Sequence, residues 1–506
     1  MTLTYWLDLK TCVPRQRTCY CLMVCNVLLI FFITLTRITV ISATTQAATN
    51  PWSQPEEISP SLVAHAAPRL LTDRYGRLHA FWVAGTALDA PPGDNQAIFY
   101  TLNNDAHWGV PNDVLARPGA IRGMSVVLDA AERFHLLLID QNNGALLYST
   151  AEMWDAMYPR AWLAPQQVVS ARVSGVTLIT HDEQLLAAYT LWEEPFEVYF
   201  IRANTDGVSW SEPVQVSNIL GNWYETALGV SLARGADGDL YLAWGQYVLP
   251  EGYPPQRIMF SRSEDGGQTW SEAVQLSEGA YGLPMILAGP DNTLYVTYNG
   301  AAGTSGRYLL YSMDAGLHWS ERITIAPVIG GLTGGTMALD CAGTLHYASA
   351  ADEGVGGSGI NGVAYTQWRD GRWDPVRNIA GIAPGTDERT RQGYEPVMAI
   401  AQCNQIHVIY LGASHGYVYH TTAQASAPAI EPVPLASPTP SPTATPITSA
   451  PPDPESTIPT PALSFERTYT DSAQTSNLEP IIFGGLAALL VANVALFVGW
   501  RERKRR

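Results

Sequence analysis

The chain has 506 residues, with 46 acidic and 29 basic side chains and a formal net charge of −17. A surface of that sign repels phosphate backbones, so the composition argues against a nucleic-acid partner. The 15 Trp, 24 Tyr, 43 Gly and 35 Pro residues are typical of a domain with many short strands joined by many turns.

Residues 1–48 have the order of an export segment. Three basic residues lie within residues 1–17, an apolar run extends from Cys19 to Leu35, and Thr45-Gln46-Ala47 offers a cleavage site. This order predicts a secretory signal peptide. The alternative is an uncleaved N-terminal membrane segment, because the run is long and Arg37 follows it. Both interpretations place the rest of the chain outside the cell.

A Trp-led segment recurs seven times through the middle of the chain, about every 50 residues. Its pattern is roughly Trp-x-x-Pro-x-x-aliphatic-small, and three further strand-like segments follow most copies, such as Pro68–Thr72, Leu78–Val83 and Ile98–Leu102 in the first unit. Such a period with several short strands per unit predicts a β-propeller. The seven residues are Trp52, Trp108, Trp162, Trp210, Trp270, Trp319 and Trp373.

The last repeat lacks a Trp strand of its own. After Trp373 come three strand-like segments, Val397–Ala401, Ile406–Tyr410 and Tyr417–Thr421. The unpaired segment Trp52–Ser59 is left to complete this sheet. We therefore predict an all-β, seven-bladed propeller of four-stranded blades over residues 51–422, closed by the N-terminal strand, which removes an exposed edge.

The composition of the C-terminal part of the chain predicts a stalk followed by a membrane anchor. Residues 423–479 are dominated by Pro, Ser, Thr and Ala, a composition that stays extended and disordered. Residues 480–500 form an apolar stretch about long enough to span a bilayer as one transmembrane helix. The tail 501–506 is basic, so it is expected to be cytoplasmic, with the propeller outside at the cell membrane.

Two turns have the pattern Ser-x-Asp-x-Gly-x-x-Trp. The first contains Ser263, Asp265, Gly267 and Trp270. In such a turn the Ser and Asp side chains accept hydrogen bonds from local N–H groups, and Gly takes a positive φ. The second copy contains Ser312, Asp314, Gly316 and Trp319.

This pattern resembles the Asp-box, or bacterial neuraminidase repeat, of the sialidase-type β-propellers. The resemblance implies that the turns are structural and lie between the outer two strands of a blade, away from the catalytic face. Sialidases usually have six blades, so a seventh is a departure from the family. The resemblance also implies a glycan ligand.

Only Cys341 and Cys403 fall in the predicted propeller, in equivalent turns of consecutive units. An exported protein permits a disulfide between them, provided that the two turns lie close enough. Neither residue belongs to a CxxC or HExxH pattern, so we predict no metal site and no cofactor.

Sialidase chemistry, which the resemblance implies, needs Arg residues that clamp a carboxylate, a Tyr nucleophile and a Glu that activates it. Two segments place Tyr next to Glu just before an inner strand. The predicted catalytic residues are therefore Tyr224, Glu225, Tyr394 and Glu395. The predicted substrate-binding residues are Arg69, Arg122, Arg389 and Arg391.

The family's Phe/Tyr-Arg-Ile-Pro motif is absent, and its nearest counterpart is Pro68-Arg69-Leu70. Three functions are thus open. One is a membrane-anchored extracellular exo-sialidase, a glycoside hydrolase. Another is a non-catalytic propeller that binds a glycan or protein, such as a glycoprotein, at the cell surface. The third is hydrolysis of a different glycan, which would require a pair of carboxylic acids across the channel.

Overall fold

The computed structural model describes residues 51–59, 64–85, 96–104, 107–194, 196–206, 209–219, 227–248, 252–300, 306–325, 334–351, 362–379, 393–412 and 416–435. The chain divides into two compact units, Met1–Ala436 and Ser437–Arg506, and all described residues belong to the first. The predicted signal segment, most of the stalk and the predicted span 480–500 lie outside these ranges. Within them, no helix is long and apolar enough to cross a bilayer.

The described fold is built from short antiparallel strands. Two single-turn 3-10 helices, Met153–Asp155 and Pro159–Ala161, interrupt them. The strands are β1 (Glu56–Glu57), β2 (Ala64–Thr72), β3 (Leu78–Gly85), β4 (Gln96–Asn104), β5 (His107–Trp108), β6 (Asn112–Arg117), β7 (Ile121–Leu128), β8 (Arg133–Asp140), β9 (Leu146–Glu152), β10 (Gln166–Val169), β11 (Val173–His181), β12 (Gln184–Leu191), β13 (Val198–Asn204), β14 (Val214–Gln215), β15 (Ala227–Arg234), β16 (Leu240–Val248), β17 (Gly252–Ser263), β18 (Val274–Glu278), β19 (Ala280–Ala288), β20 (Leu294–Gly300), β21 (Arg307–Ser312), β22 (Ile323–Thr324), β23 (Gly335–Leu339), β24 (Leu345–Ala351), β25 (Gly362–Arg369), β26 (Arg372–Trp373), β27 (Arg377–Asn378), β28 (Tyr394–Ala401), β29 (Gln405–Leu411) and β30 (Val418–Gln424).

These strands form seven sheets, and the predicted all-β, seven-bladed propeller is confirmed. Blades 1 to 6 are β2–β6, β7–β10, β11–β14, β15–β18, β19–β22 and β23–β27, and blade 7 is β28–β30 with β1. The first strand of each blade contacts the first strand of the next, and β28 of blade 7 contacts β2 of blade 1. The ring is therefore closed. We call the face where the first strands begin the upper face, and the face with the turns between first and second strands the lower face.

The N-terminal strand closes the ring, as predicted. Glu56 pairs with His420 and Glu57 with Tyr419 in antiparallel register. The Ile58 N–H donates to the Val418 carbonyl at 2.9 Å. This pairing gives blade 7 its fourth strand, covers the edge of β30 and ties the start of the propeller chain to its last blade.

The repeated Trp residues join neighbouring blades. In each of five pairs, a Trp in or just before the outer strand of one blade meets, edge-on, an aromatic ring on the third strand of the preceding blade. The ring centroids lie 4.8–5.7 Å apart, and the interplanar angles are 61–74°. This is the edge-to-face geometry that aromatic quadrupoles favour. The pairs are Trp52–Tyr365, Trp108–His420, Trp210–Tyr148, Trp270–Phe200 and Trp319–Phe260.

The outer strands begin later than the sequence pattern suggests. The pattern places Trp at the start of the strand, whereas β18 begins four residues after Trp270 and β22 four residues after Trp319. The physical reason is that each Trp directly follows a tight turn. Its ring points to the preceding blade rather than into the ladder of its own strand.

The first Ser-x-Asp-x-Gly-x-x-Trp turn is held by its own side chains. Ser263 Oγ accepts from the Gly267 N–H at 2.8 Å and donates to Asp265 Oδ1 at 2.8 Å. The Thr269 hydroxyl and two backbone N–H groups also donate to Asp265, which lowers its pKa to about 2. Gly267 has φ +86°, and a Cβ there would overlap the Phe200 ring. Both facts require glycine.

The second turn repeats this arrangement. Ser312 Oγ accepts from the Gly316 N–H at 2.8 Å, and Asp314 accepts from the His318 N–H at 2.9 Å. The Trp319 indole N–H donates to the Gly316 carbonyl at 3.1 Å. Both turns connect the third strand of a blade to its outer strand, on the lower face.

Cys341 and Cys403 form a disulfide with their Cα atoms 5.0 Å apart. Each lies in the turn between the first and second strands, in blades 6 and 7 respectively. The Cys341 N–H also lies 3.4 Å from the Cys403 carbonyl. The bond therefore joins neighbouring blades on the lower face.

Buried Asp–His–Tyr triads recur beneath the same face. In blade 1, His79 Nε2 lies 3.2 Å from Asp73 Oδ2, and its Nδ1 lies 2.8 Å from the Tyr100 hydroxyl. A carboxylate only accepts, so Nε2 carries the proton and Nδ1 accepts from the phenol. Burial lowers the pKa of the His more than the carboxylate raises it. The counterparts are Asp129–His135–Tyr148 in blade 2 and Asp340–His346–Tyr365 in blade 6.

Blade 7 departs from this triad, because Ala401 takes the Asp position and His420 the Tyr position. The Trp108 indole can only donate, so His420 Nδ1, 3.2 Å away, accepts. His420 Nε2 then donates to His407 Nδ1 at 3.1 Å. The direction of both bonds requires two neutral rings. Burial lowers the pKa of His407 to about 4 and that of His420 to about 3.

Acid is therefore expected to destabilise the fold between about pH 6.5 and about pH 4. Unfolded histidines, with a pKa of about 6.5, bind protons that His407 and His420 do not bind when folded, so the free energy of unfolding falls as pH falls. Urea unfolding measured across this range checks the slope. His407→Gln should flatten it by up to about 1.4 kcal/mol per pH unit. His107→Gln, at an exposed His, should not, and equal slopes in both variants would contradict the assignment.

Candidate functional site

Three consecutive inner strands carry the described members of the predicted site. Arg69 lies on β2 of blade 1, with Arg122 at the start of β7 in blade 2. Tyr394 and Glu395 open β28 of blade 7. Because β28, β2 and β7 follow one another around the channel, ring closure brings both ends of the propeller chain to one arc of the upper face.

Arg69 is held by backbone carbonyls of two blades. Its Nη2 donates to the Met124 carbonyl at 2.7 Å, and its Nη1 donates to the Pro68 carbonyl at 3.1 Å. Burial lowers the pKa of Arg69, and the negative charge of Glu395 opposes that change. The guanidinium thus bridges β2 and β7 and also interacts electrostatically with β28.

Glu395 and Tyr394 are adjacent in sequence but differ in their surroundings. Glu395 has φ +47°, a left-handed conformation that is uncommon for residues other than glycine. The Tyr394 ring packs against the core cluster between blades 7 and 1, which contains Ile58, Leu70 and Leu411. Glu395 contributes its negative charge to the surroundings of Arg69.

Arg122 is exposed, and its guanidinium carbon lies 5.2 Å from the centre of the Trp192 ring. Trp192 follows β12 of blade 3 and is 42% exposed. A cation over an indole face is an attractive contact. The pair extends the arc from blade 2 to blade 3 with one positive charge and one apolar ring in reach of solvent.

Hydrogen bonds hold the segments that carry these two side chains. The Ile121 N–H, next to Arg122, donates to the buried side chain of Gln96 at 2.6 Å. The Trp192 N–H donates to the Arg172 carbonyl at 2.7 Å. Glu193 accepts from the Arg172 N–H at 3.0 Å. Both side chains thus project from fixed backbone, which limits the entropy lost when a ligand binds.

Tyr224, Glu225, Arg389 and Arg391 lie outside the described residues. The link that leads toward the first two is described as far as residue 219. There, buried Glu197 accepts from the Ile219 N–H at 2.7 Å and from the Ser217 hydroxyl. Glu197 therefore fixes where this link leaves the outer part of blade 3.

Sequence reasoning missed Trp192. Trp192 does not belong to the Trp-led repeat, because it lies in a loop between the second and third strands of its blade. Its position beside Glu193 and Glu194, in a loop of the upper face, was the available signal. Among the described residues, no group of three or more His, Cys, Asp or Glu side chains could hold a metal ion.

No protein-family model matches the chain, and no curated protein matches it. Among solved structures, it is similar to a variant of the NanB sialidase from Streptococcus pneumoniae at 13% identity, covering 75% of this chain and 72% of that chain with a TM-score of 0.41. It is similar to a leech intramolecular trans-sialidase at 12% identity, covering 74% of this chain and 70% of that chain with a TM-score of 0.40. It is also similar to the polysaccharide lyase Uly1 at 11% identity, covering 75% of this chain and 95% of that chain with a TM-score of 0.48. At these identities the likeness concerns the fold alone.

The two described arginines should differ in their effect on stability. Arg69→Ala leaves the Met124 carbonyl without its donor and Glu395 without a nearby cation, so we expect a loss of about 1–3 kcal/mol of unfolding free energy. Arg122→Ala removes an exposed side chain and should change stability by less than about 0.5 kcal/mol. Urea denaturation of both variants measures this. Equal effects would contradict the structural role of Arg69.

Proposed function

We propose that this propeller acts on glycans outside the cell, at the arc formed by Arg69, Glu395, Arg122 and Trp192 on the upper face. We further propose that it is tethered to the membrane by residues 480–500, and that its reaction is hydrolysis of terminal acidic sugars of exo-sialidase type. The ligand is then an extracellular glycan or glycoprotein.

The observation that carries this proposal is the presence of Glu395 and Arg69 together on neighbouring inner strands. Glu395 lies in a bulge of β28 with φ +47°, and the equivalent residue of blade 5, Leu283, has φ +53°, so the conformation itself belongs to the fold. What distinguishes blade 7 is that its bulge carries a carboxylate, whose negative charge acts on the part-buried Arg69. Strand β2 of blade 1 and strands β23–β25 of blade 6 pack against β28 and hold this bulge in place.

The charges around Glu395 suit an acidic sugar. Arg122 offers an exposed cation for a substrate carboxylate, and the Trp192 ring offers an apolar surface for the sugar ring. In the proposed reaction, the oxygen of water ends on the anomeric carbon, and the leaving glycosidic oxygen takes a proton. Glu395 is proposed as the carboxylate that moves that proton, and Tyr394, Tyr224 and Glu225 as its partners, with Arg389 and Arg391 completing the substrate contacts.

A second candidate is a non-catalytic glycan- or protein-binding module at the cell surface. Two observations favour it. The Arg69 guanidinium donates to two backbone carbonyls, and the Tyr394 ring packs against core side chains. Both residues then serve the fold, while Arg122 and Trp192 bind the ligand.

The deciding experiment combines turnover and binding with the purified full-length chain. Release of 4-methylumbelliferone from a sialoside, together with binding to a sialylated glycan array, is expected. Glu395→Gln should abolish turnover but keep binding, whereas Arg122→Ala should weaken binding about tenfold, because it removes a charge-assisted contact.

Arg322→Ala is the matched control, since Arg322 is also exposed and stacked on an aromatic ring, Tyr308, at 4.4 Å in blade 5. It should leave both readouts unchanged. Array binding without turnover would select the second candidate. The absence of both turnover and array binding would overturn the proposal.

A further inference from the structure

Blade 2 carries an insertion on the lower face, away from the arc described above. In place of a short turn, residues 153–165 with two 3-10 helices connect β9 to β10. The pairing of Glu152 with Arg133 puts the end of β9 beside the turn between β7 and β8. The insertion therefore projects from the lower face of the ring.

The insertion is fixed to the propeller core. Met153, Ala156 and Trp162 are buried in the cluster shared by blades 1 and 2. The Trp162 indole N–H donates to the Ala156 carbonyl at 2.9 Å, and the Met153 N–H donates to the Glu132 carbonyl at 2.8 Å. Side chains on this segment thus have a defined position.

Trp154 is held in place although it is 50% exposed. Its indole N–H donates to Glu132 Oε2 at 2.7 Å. The guanidinium carbon of Arg77 lies 4.3 Å from the ring centre, and the Tyr75 ring lies 5.3 Å away. The hydrogen bond and the cation fix the plane of the ring, while half of its surface remains open to solvent.

Tyr158 adds a second half-exposed ring four residues further on, with Arg160 5.5 Å from its centre. Charged side chains flank the two rings, among them Arg74, which pairs with Glu132. We name Trp154 and Tyr158 the lower aromatic platform. Tyr and Trp rings held in fixed positions supply contact area at a low cost in conformational entropy.

We propose that the lower aromatic platform binds a neutral polysaccharide, through stacking of hexopyranose rings on Trp154 and Tyr158. The apolar face of a pyranose matches an exposed indole, and the flanking carboxylates and guanidinium groups hydrogen-bond to its hydroxyls. The guanidinium groups of Arg74 and Arg77 are already paired with carboxylates, which favours a neutral chain over an acidic one at this site. Two rings are small for a stable protein interface, which buries about 800 Å² per partner. The fixed ring positions lower the entropy lost on binding.

The test is affinity electrophoresis of the full-length chain in gels containing hydroxyethyl cellulose, mannan or dextran, with polygalacturonate as the acidic comparison. At least one neutral polymer should retard the protein. Trp154→Ala and Tyr158→Ala should each weaken the apparent affinity about tenfold. Trp154→Phe, which keeps a ring but loses the bond to Glu132, should retain part of it.

Leu317→Ala is the matched control, because Leu317 is an exposed apolar residue at a distant turn, and it should bind as the unaltered chain does. Trp192→Ala should also bind normally, which separates this platform from the upper face. If Trp154→Ala lowers the melting temperature, the retardation of Tyr158→Ala and Trp154→Phe decides whether the platform binds the polymer. The proposal would be overturned if no neutral gel retarded the protein, or if the Trp154 and Tyr158 variants were retarded as strongly as the unaltered chain. Loss of binding in Trp192→Ala alone would also overturn it.

Discussion

The propeller depends on the edge-on contact between an outer Trp and an aromatic ring of the preceding blade. Each sheet has its own hydrogen-bond ladder, so the sheets need side-chain packing to hold their order around the ring. At Phe200, the Trp270 edge and the Gly267 backbone cover the same ring. The Ser-x-Asp-x-Gly-x-x-Trp turn thus presents its glycine and its Trp together to the neighbouring blade.

The same contact at the seam explains why residues from opposite ends of the propeller meet. Trp108 of blade 1 packs on His420 of blade 7, and the strand that precedes blade 1 pairs with β30. Blade 7 is thereby set against blade 1, which places Glu395 near Arg69. The candidate site is a product of closure, because no single blade contains both groups.

The sequence was sufficient for the fold, because the Trp period and the turn motif are local patterns. It also predicted the closing strand, since the last unit lacked one. Three features were beyond it. The side-chain directions of Tyr394 and Glu395 depend on a left-handed residue that no propensity predicts. Trp192 lies outside the repeat pattern. The Asp–His–Tyr triads have a readable spacing, Asp-x5-His, but their Tyr partners come from a different strand.

A double-mutant cycle on Phe200 and Trp270 tests the blade-to-blade contact most directly. Phe200→Leu, Trp270→Leu and the double variant would be compared by urea unfolding. The edge-on contact predicts a coupling free energy of about 0.5–1.5 kcal/mol between the two positions. Additive effects, with a coupling indistinguishable from zero, would contradict the account that these ring contacts hold the blades in order.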